Sequence, residues 1–270
     1  MQDTDLAHRG LALLGCGKMG SAMLAGWLAR GLPPTSVRVQ DPHPSDWLTA
    51  QGVHINEGFG DGPAVVLIAV KPQVMGDALP AFQAQPKGDT LFISVAAGIP
   101  MATYEAHLGN VPIVRAMPNT PAAVGKGITA IVGNAQTTET HLAQAEELLS
   151  AVGEVVRLDS EGQMDAVTGV SGSGPAYVFH LIECLAAAGE AEGLAPDLAM
   201  ALARATVAGA GALAQESGED PAQLRRNVTS PNGTTQAGLE VLMDADTGLP
   251  PLIRATVAAA AHRSKELANG

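Results

Sequence analysis

The chain has 270 residues, enough for one large domain or two domains of modest size. Its 15 Lys and Arg against 27 Asp and Glu give a net charge of −12, which argues against a nucleic-acid-binding protein or one that binds anionic membranes. The two cysteines, Cys16 and Cys184, lie far apart in sequence, so neither a disulfide framework nor a metal site is predicted.

The amino-terminal segment lacks the pattern of an export signal. The L-L-G-C sequence at 13–16 resembles a lipoprotein cleavage box, but Asp3 and Asp5 lie where such a signal carries positive charge. The apolar run at 11–14 is also shorter than the roughly 7 to 15 residues of an export core. No uninterrupted apolar run approaches the roughly 18 residues of a membrane span. We therefore expect a cytoplasmic protein with no membrane partner.

The first 160 residues alternate short apolar runs with segments long enough for crossover helices. Near-continuous apolar strands are typical of a parallel sheet covered by helices on both faces. The alternation therefore predicts an α/β fold, with a Rossmann-like, doubly wound parallel sheet as a dinucleotide-binding domain over 1–160. Predicted strands are 11–14, 37–40, 65–70, 91–95, 113–116, 128–132 and 155–158, and predicted helices are 19–30, 45–51, 74–84 and 138–152.

After about residue 160 the strand-like runs end and the chain becomes rich in alanine. We predict an all-α domain over 161–270. The segment at 196–217 consists mostly of Ala, Leu, Met, Val and Gly, so little of its surface is suited to water. A subunit interface explains this best, and a homodimer or higher homo-oligomer is expected. Predicted helices are 177–192, 196–217, 221–227, 236–245 and 250–268.

A glycine motif follows the first predicted strand. Gly15, Gly17 and Gly20 have the G-x-G-x-x-G spacing and precede a predicted helix. In a dinucleotide-binding unit the first glycine permits a tight turn, the second lets the backbone approach a pyrophosphate, and the third allows close packing of helix and strand. The exposed N–H groups of the helix start then bind the anion. Lys18 and Met19 lie inside this predicted cofactor loop.

An acidic residue ends the second predicted strand. Asp41 lies 21 residues beyond Gly20, where a carboxylate accepts hydrogen bonds from the adenosine ribose and repels a 2′-phosphate. This favours NADH over NADPH. Asp41 also precedes a Pro-His-Pro sequence, and an ordinary turn or N-cap role is the alternative.

Two proline-containing loops follow other predicted strands at their carboxyl ends, where open α/β sheets bind ligands. They are V-K-P-Q at 70–73 and R-A-M-P-N-T-P at 115–121. Both are suited to the ribose and the nicotinamide end of a cofactor, and ordinary turn chemistry is the alternative for each.

The helical half contains two polar segments. The run at 165–176 has three glycines within six residues, which should break a helix unless the backbone approaches a ligand or another helix. The segment at 228–235 offers hydroxyls and free N–H groups before a predicted helix. It is a plausible site for a small carboxylate, with a capped turn as the alternative.

Five of these segments together resemble the pyrroline-5-carboxylate reductase family, which catalyses the last step of proline synthesis. The motifs are G-C-G-K-M-G at 15–20, A-V-K-P-Q at 69–73, R-A-M-P-N-T-P at 115–121, D-A-V-T-G-V-S-G-S-G-P-A-Y-V at 165–178, and the turn at 230–235. The resemblance implies reduction of 1-pyrroline-5-carboxylate to L-proline by NADPH or NADH. It also implies a helical dimerisation domain and an active site where the two domains meet.

The resemblance implies specific roles. Thr235 donates to the ring nitrogen of the substrate, and Asn232 replaces a family glycine at a position where Asn tolerates positive φ. No strong acid is evident, and His180 is expected to be a core histidine. The substrate-binding residues are Ser230, Gly233, Thr234, Ser171 and Gly172, and the cofactor-binding residues are Gly15, Gly17, Lys18, Met19, Gly20, Asp41, Asn56, Ala69, Val70, Lys71, Pro72, Met117, Pro118 and Asn119.

Two other classes of protein compete with this interpretation. A non-catalytic dinucleotide sensor explains the glycine loop but leaves both polar segments of the helical half without a role. A related two-domain dehydrogenase or imine reductase acting on another small carboxylate is the second. For a β-hydroxyacid dehydrogenase one expects a lysine acid/base in the helical half, yet the only lysine after Lys126 is Lys265, near the carboxyl terminus.

Overall fold

The computed structural model describes residues 4–60, 62–82 and 88–269. The chain divides into two compact units. The first comprises Met1–Gly172 together with Ala260–Gly270, and the second comprises Ser173–Ala259.

A mostly parallel sheet forms the centre of the first unit. Among the described residues it has eight strands in the order β3-β2-β1-β4-β5-β6-β7-β8. Of the pairs described, β6–β7 is antiparallel and the others are parallel. The strands are β1 (Leu11–Leu14), β2 (Val37–Gln40), β3 (His54–Ile55), β4 (Val65–Ile68), β5 (Leu91–Ser94), β6 (Ile113–Met117), β7 (Gly127–Gly133) and β8 (Gly153–Arg157).

Apolar side chains cover both faces of this sheet, which is why β1, β4 and β5 are buried at every position. One core cluster includes the fully buried Trp27, whose indole N–H donates to the carbonyl of Leu148 at 2.8 Å. The other includes Phe92 and Tyr104. The predicted α/β class and the central sheet are confirmed.

The helices of the first unit are α1 (Thr4–Arg9), α2 (Lys18–Ala29), α3 (Asp46–Thr49), α4 (Met75–Ala78), α5 (Met101–Leu108), α6 (Glu139–Leu149) and α7 (Met164–Val167). The helix predicted at 74–84 is wrong in extent, and its residues 83 and 84 lie outside the described part of the chain. It is divided into Pro72–Val74, α4 and Leu79–Phe82, of which the first and last are 3₁₀ turns. Pro80 lies inside the predicted segment, and an interior proline removes a helical hydrogen bond.

The second unit is helical throughout its regular structure. Its helices are α8 (Gly174–Ala191), α9 (Pro196–Glu216), α10 (Pro221–Asn227) and α11 (Thr234–Leu242), with the first part of α12 (Leu249–Asn269). α8 and α9 pack through small side chains, because Ala186, Ala199 and Ala203 form their buried cluster. Many large apolar side chains of these helices are exposed in the single chain, among them Phe179, Leu185, Leu202 and Leu213.

Helix α9 differs from the expectation that no segment of the chain resembles a membrane span. Over Pro196–Glu216 it is long and apolar enough to cross a membrane by length and composition, although no uninterrupted apolar run predicted such a segment. Only 11% of the window that meets this test is buried within the chain. A helix at a subunit interface meets the same test.

Candidate active site

The glycine loop lies between β1 and α2, as the spacing predicts. Gly15 has a φ of +85°, which is accessible to glycine at little cost. A Cβ atom on Gly20 would lie 2.5 Å from the carbonyl oxygen of Gly15, so only glycine lets α2 pack this closely against the loop. A Cβ on Gly17 would meet no described heavy atom within 4 Å, so the backbone there faces open space. Gly17 is also the N-cap of α2, so the helix start presents N–H groups to an anion.

Asp41 is bonded to this loop. One of its carboxylate oxygens accepts the backbone N–H of Cys16 at 2.7 Å, and the other accepts that of His43 at 2.8 Å. The bond to His43 is an Asx turn, so the turn role considered for Asp41 is present. The bond to Cys16 additionally holds the end of β2 against the glycine loop.

Asn56 completes this cluster from the end of β3. Its side-chain oxygen accepts the N–H of Asp41 at 2.9 Å, and its amide donates to the Asp41 carbonyl at 2.8 Å. Asn56 has a φ of 58°, a conformation that asparagine tolerates better than most residues. The pair of bonds fixes the Asp41 backbone at the carboxyl edge of the sheet.

The Cys16 side chain is buried inside the same loop. Burial, and to a lesser extent the negative charge of Asp41, raise the pKa of its thiol from 9.0 to about 11. The thiol is therefore neutral near pH 7 and is not poised to act as a nucleophile.

A cavity of about 680 Å³ adjoins the glycine loop, and its size suits part of a dinucleotide. It brings the predicted Gly17, Lys18 and Asp41 together with residues for which the sequence predicted no role. Trp47 is the notable addition, because it is 39% exposed in a chain with 3% aromatic residues. The position of Trp47, shortly after the Asp41 turn, was the signal that could have identified it as a site residue. The added lining residues are Ser21, Ala22, Ala25, His43, Ser45, Trp47 and Ala123, with Cys16 beside them.

The segment after β4 contacts the glycine loop directly. The N–H of Ala69 donates to the carbonyl of Leu14 at 2.8 Å, and a Cβ on Gly15 would lie 2.9 Å from Cγ1 of Val70. Pro72 begins a 3₁₀ turn for which Lys71 is the N-cap residue, and the Lys71 side chain is exposed. The structure thus brings Ala69 and Val70 to the loop and leaves Lys71 at the surface.

The loop after β6 contacts the glycine-rich run at 165–176. The side-chain amide of Asn119 donates to the carbonyl of Ser171 at 3.2 Å, and its oxygen accepts the N–H of Ile128 at 3.0 Å. A Cβ on Gly172 would lie 2.5 Å from Cε of Met117. Gly172 therefore allows the close approach of Met117, which lies one residue before Pro118. Segments about 50 residues apart in sequence meet here within the first unit.

The glycine-rich run interrupts the regular α-helix, as expected, because α7 ends at Val167 and α8 begins at Gly174 after a bend at Ser173. Residues Thr168–Gly172 form a π-helical turn that continues α7 towards α8. The hydroxyls of Thr168 and Ser171 donate to carbonyls four residues earlier, at 2.9 and 3.2 Å. Side-chain bonds of this kind compete with regular helical bonds, and π turns occur frequently at functional sites.

The predicted substrate turn lies in the second unit. The N–H of Gly233 donates to the carbonyl of Ser230 at 3.0 Å, and Asn232 has a φ of 57°, as expected for a residue that replaces glycine. Helix α11 begins at Thr234, two residues before the predicted start, with Gly233 as its N-cap. Thr235 is exposed, and no hydrogen bond to its hydroxyl is found among the described residues. The turn therefore presents free hydroxyl and N–H groups.

The histidine expected to lie in a core, His180, is instead at the surface of the single chain. Its Nδ1 lies 2.9 Å from a Glu183 carboxylate oxygen, and its Nε2 lies 3.5 Å from Sγ of Cys184. Across residues 4–60, 62–82 and 88–269 no group of three His, Cys, Asp or Glu side chains is placed to hold a metal ion.

Comparison with known proteins gives two family matches. Residues 161–267 match the model of the pyrroline-5-carboxylate reductase dimerisation family, and residues 10–98 match that of the F420-dependent NADP oxidoreductase family. Relatives named pyrroline-5-carboxylate reductase include one from Pseudomonas aeruginosa, 41% identical over 96% of each chain. Another, from Synechocystis sp., is 42% identical over 95% of this chain and 97% of the relative.

Solved structures agree with these sequence relatives. A pyrroline-5-carboxylate reductase from Coxiella burnetii has a TM-score of 0.89 at 34% identity, covering 96% of this chain and 98% of that one. The pyrroline carboxylate reductase of Plasmodium falciparum, solved with NADP bound, has a TM-score of 0.81 at 26% identity over 97% and 99% of the two chains.

Proposed function

Since the chain belongs to the pyrroline-5-carboxylate reductase family, we propose that it reduces 1-pyrroline-5-carboxylate to L-proline with a reduced nicotinamide dinucleotide, as the last step of proline biosynthesis. The observation that carries the proposal is the contact of Asn119 with Ser171 at 3.2 Å. It joins a loop at the carboxyl edge of the dinucleotide-binding sheet to the Ser- and Gly-rich run that characterises the family.

The residues of the first unit fit a dinucleotide. Gly17 leaves open backbone beside a cavity of about 680 Å³, and the start of α2 offers N–H groups for the pyrophosphate. The bound cofactor supplies the hydride. Gly15, Gly20, Ala69 and Val70 shape the loop, while Lys18, Met19, Asn56, Lys71, Pro72, Met117, Pro118 and Asn119 complete the proposed cofactor set.

NADH is the proposed physiological cofactor. The carboxylate of Asp41 lies at the tip of β2 and adjoins the cavity, so its charge repels a ribose 2′-phosphate. Its two hydrogen bonds to backbone N–H groups keep that charge in place.

The substrate-binding groups come from the turn before α11 and from the π-helical turn. Ser230 and Thr234 hold the substrate carboxylate through hydroxyl and N–H donors, and Gly233, whose own N–H bonds to Ser230, lets the backbone approach that carboxylate. Ser171 and Gly172 line the substrate. The hydroxyl of Thr235 donates to the ring nitrogen of the neutral imine. A protonated C=N bond accepts hydride far better than a neutral one, so the nitrogen takes a proton from water before transfer, and the Thr235 hydroxyl then accepts the resulting N–H. Orientation of the ring supplies the remaining rate enhancement.

The proposed organisation is a dinucleotide-binding domain over 1–160 and a helical domain over 161–270. We assign the exposed apolar side chains of α8 and α9 to a homodimer or larger homo-oligomer formed through the carboxyl-terminal helices, in agreement with the match to a dimerisation family. The proposed location is the cytoplasm.

The test is consumption of NADH by the purified chain with 1-pyrroline-5-carboxylate, followed by absorbance at the nicotinamide band. We expect consumption that depends on the imine and yields L-proline in equal amount. A dinucleotide sensor would bind NADH, which would quench the tryptophan fluorescence of the protein, but the sensor would not consume the NADH. Consumption with another small imine or keto acid but not with this one would identify a different reductase.

A further inference from the structure

A second polar cavity lies at the edge of the sheet opposite the glycine loop. It has a volume of about 470 Å³ and is lined at the amino ends of β1 and β2. Gly15 and Asp41 follow the carboxyl ends of the same strands, and four-residue strands separate the two edges by about 13 Å. The cavity is therefore separate from the proposed cofactor site. Its lining includes His8, Arg9, Thr35, Ser36, Arg38 and Gly60.

Arg38 is the informative member of this lining. It lies on β2 and is half-buried, yet its guanidinium has no hydrogen bond or ion pair with any residue that the structure describes. Gly60, with a φ of +77°, makes room for it, since a Cβ there would lie 3.0 Å from Nε of Arg38. The cavity thus contains a positive charge that no described side chain neutralises.

Arg9 shows the contrast within the same cavity. It pairs with Asp89 at 2.9 Å and donates to the carbonyls of Gly62 and Pro63, each at 3.1 Å. These bonds fix the Arg9 side chain in the lining of the cavity. The Thr35 side chain adds an exposed hydroxyl, while that of Ser36 donates to the carbonyl of Pro33 at 2.8 Å. Arg38 and the Thr35 hydroxyl therefore line the same cavity, in a protein whose net charge is −12.

We propose that this cavity, which we call the Arg38 cavity, binds a phosphate-class oxyanion. A guanidinium fork matches two oxygens of a phosphate, and such charge-assisted pairs are stronger than neutral hydrogen bonds. The Thr35 hydroxyl and the His8 ring line the same space and supply further donors. Free phosphate and a phosphate monoester share this chemistry.

The test is equilibrium dialysis of radiolabelled inorganic phosphate against the whole chain, with saturating NADH present so that phosphate is kept from the glycine loop. Wild type and Arg30→Gln should bind phosphate equally, because Arg30 lies outside the cavity and its loss changes the net charge by the same amount. Arg38→Gln should weaken phosphate binding at least about 10-fold. Its circular dichroism and its NADH-dependent activity should match those of wild type.

A second variant keeps the proposal testable if Arg38→Gln does not fold. Arg38→Lys retains the charge without the planar fork, so phosphate binding should weaken several-fold. Equal phosphate affinity in wild type and both Arg38 variants overturns the proposal, as does the absence of saturable binding in wild type. Competition by glycerol 3-phosphate that is stronger than competition by unlabelled phosphate identifies a monoester as the ligand, and equal or weaker competition identifies free phosphate.

Discussion

The carboxylate of Asp41 accepts the backbone N–H of Cys16 at 2.7 Å, across 25 residues of sequence. The bond joins the tip of β2 to the interior of the glycine loop. The residue that we propose to set the electrostatics at the adenosine ribose is therefore also part of the scaffold of the proposed pyrophosphate site. Changes at Asp41 should alter both the choice of cofactor and the order of the loop.

Asp41→Asn should shift cofactor choice towards NADPH. Asparagine keeps an acceptor for the Cys16 N–H and removes the charge that repels a 2′-phosphate. We expect the ratio of kcat/KM for NADPH to that for NADH to rise about 10-fold, which corresponds to about 1.4 kcal/mol. Steady-state kinetics with both cofactors measure it.

Asp46→Asn is the matched control, because it removes an equal charge from the first turn of α3 nearby and should leave the ratio unchanged. A wild-type preference for NADPH, or the same shift in both variants, would show that Asp41 does not set the preference.

The Cys16 thiol should resist alkylation until strongly alkaline pH. Burial and the Asp41 charge raise its pKa to about 11, so the reactive thiolate is scarce at pH 8. In a Cys184→Ser chain, the iodoacetamide rate should rise with pH towards 11 and should fall when NADH is bound. In the unfolded chain the thiol loses its proton near its ordinary value of 9.0, so this group makes the folded state less stable as pH rises from 9 towards 11. A rate that levels off below pH 9 would contradict the burial of this thiol.

Glu161→Ala should destabilise the first unit. The Glu161 carboxylate accepts the backbone N–H of Met101 at 2.7 Å and pairs with Arg115, which is only 7% exposed. Removing the acid leaves a buried guanidinium unpaired, and we expect a loss of about 1–3 kcal/mol in the free energy of unfolding. Urea denaturation measures it. The exposed Glu147→Ala is the control, and an equal effect of both variants would refute the importance of the pair.

Thr235→Ala should lower kcat at least about 10-fold, a loss of about 1.4 kcal/mol or more in transition-state stabilisation. The reason is loss of the proposed hydrogen-bond partner of the ring nitrogen. Thr235→Ser keeps a hydroxyl and should recover most of the rate, whereas a loss of folding would affect both variants. An unchanged kcat in Thr235→Ala, measured at saturating imine and NADH, would place that partner elsewhere.

The strands of the first unit were predictable because a sheet covered on both faces needs apolar residues at every position. β1, which is apolar throughout, matches its predicted bounds, and so does β2, in which apolar and polar residues alternate. β3 was missed because His54–Ile55 is too short to show periodicity. The antiparallel direction of β7 had an overlooked signal. Residues 118–126 leave no room for a crossover helix, and a parallel connection needs a dozen or more residues.

The candidate site was predictable where the chemistry is local. The glycine spacing and the polar turn at 230–235 are contiguous in sequence. The bonds of Asp41 to Cys16 and of Asn119 to Ser171 are long-range, so no single segment indicates them. Three glycines predicted a break at 165–176, and the regular α-helix does end at Val167. The sequence did not indicate the π-helical turn that follows, in which the Thr168 and Ser171 hydroxyls donate to preceding carbonyls.

The most direct test of the proposed reaction uses NADH carrying two deuterium atoms at C4 of the nicotinamide. With 1-pyrroline-5-carboxylate, the purified chain should produce L-proline with one deuterium on Cδ, the ring carbon next to nitrogen that does not bear the carboxylate. Mass spectrometry and NMR detect this label. Unlabelled proline, or no proline above the level without protein, would contradict hydride transfer to the C=N carbon.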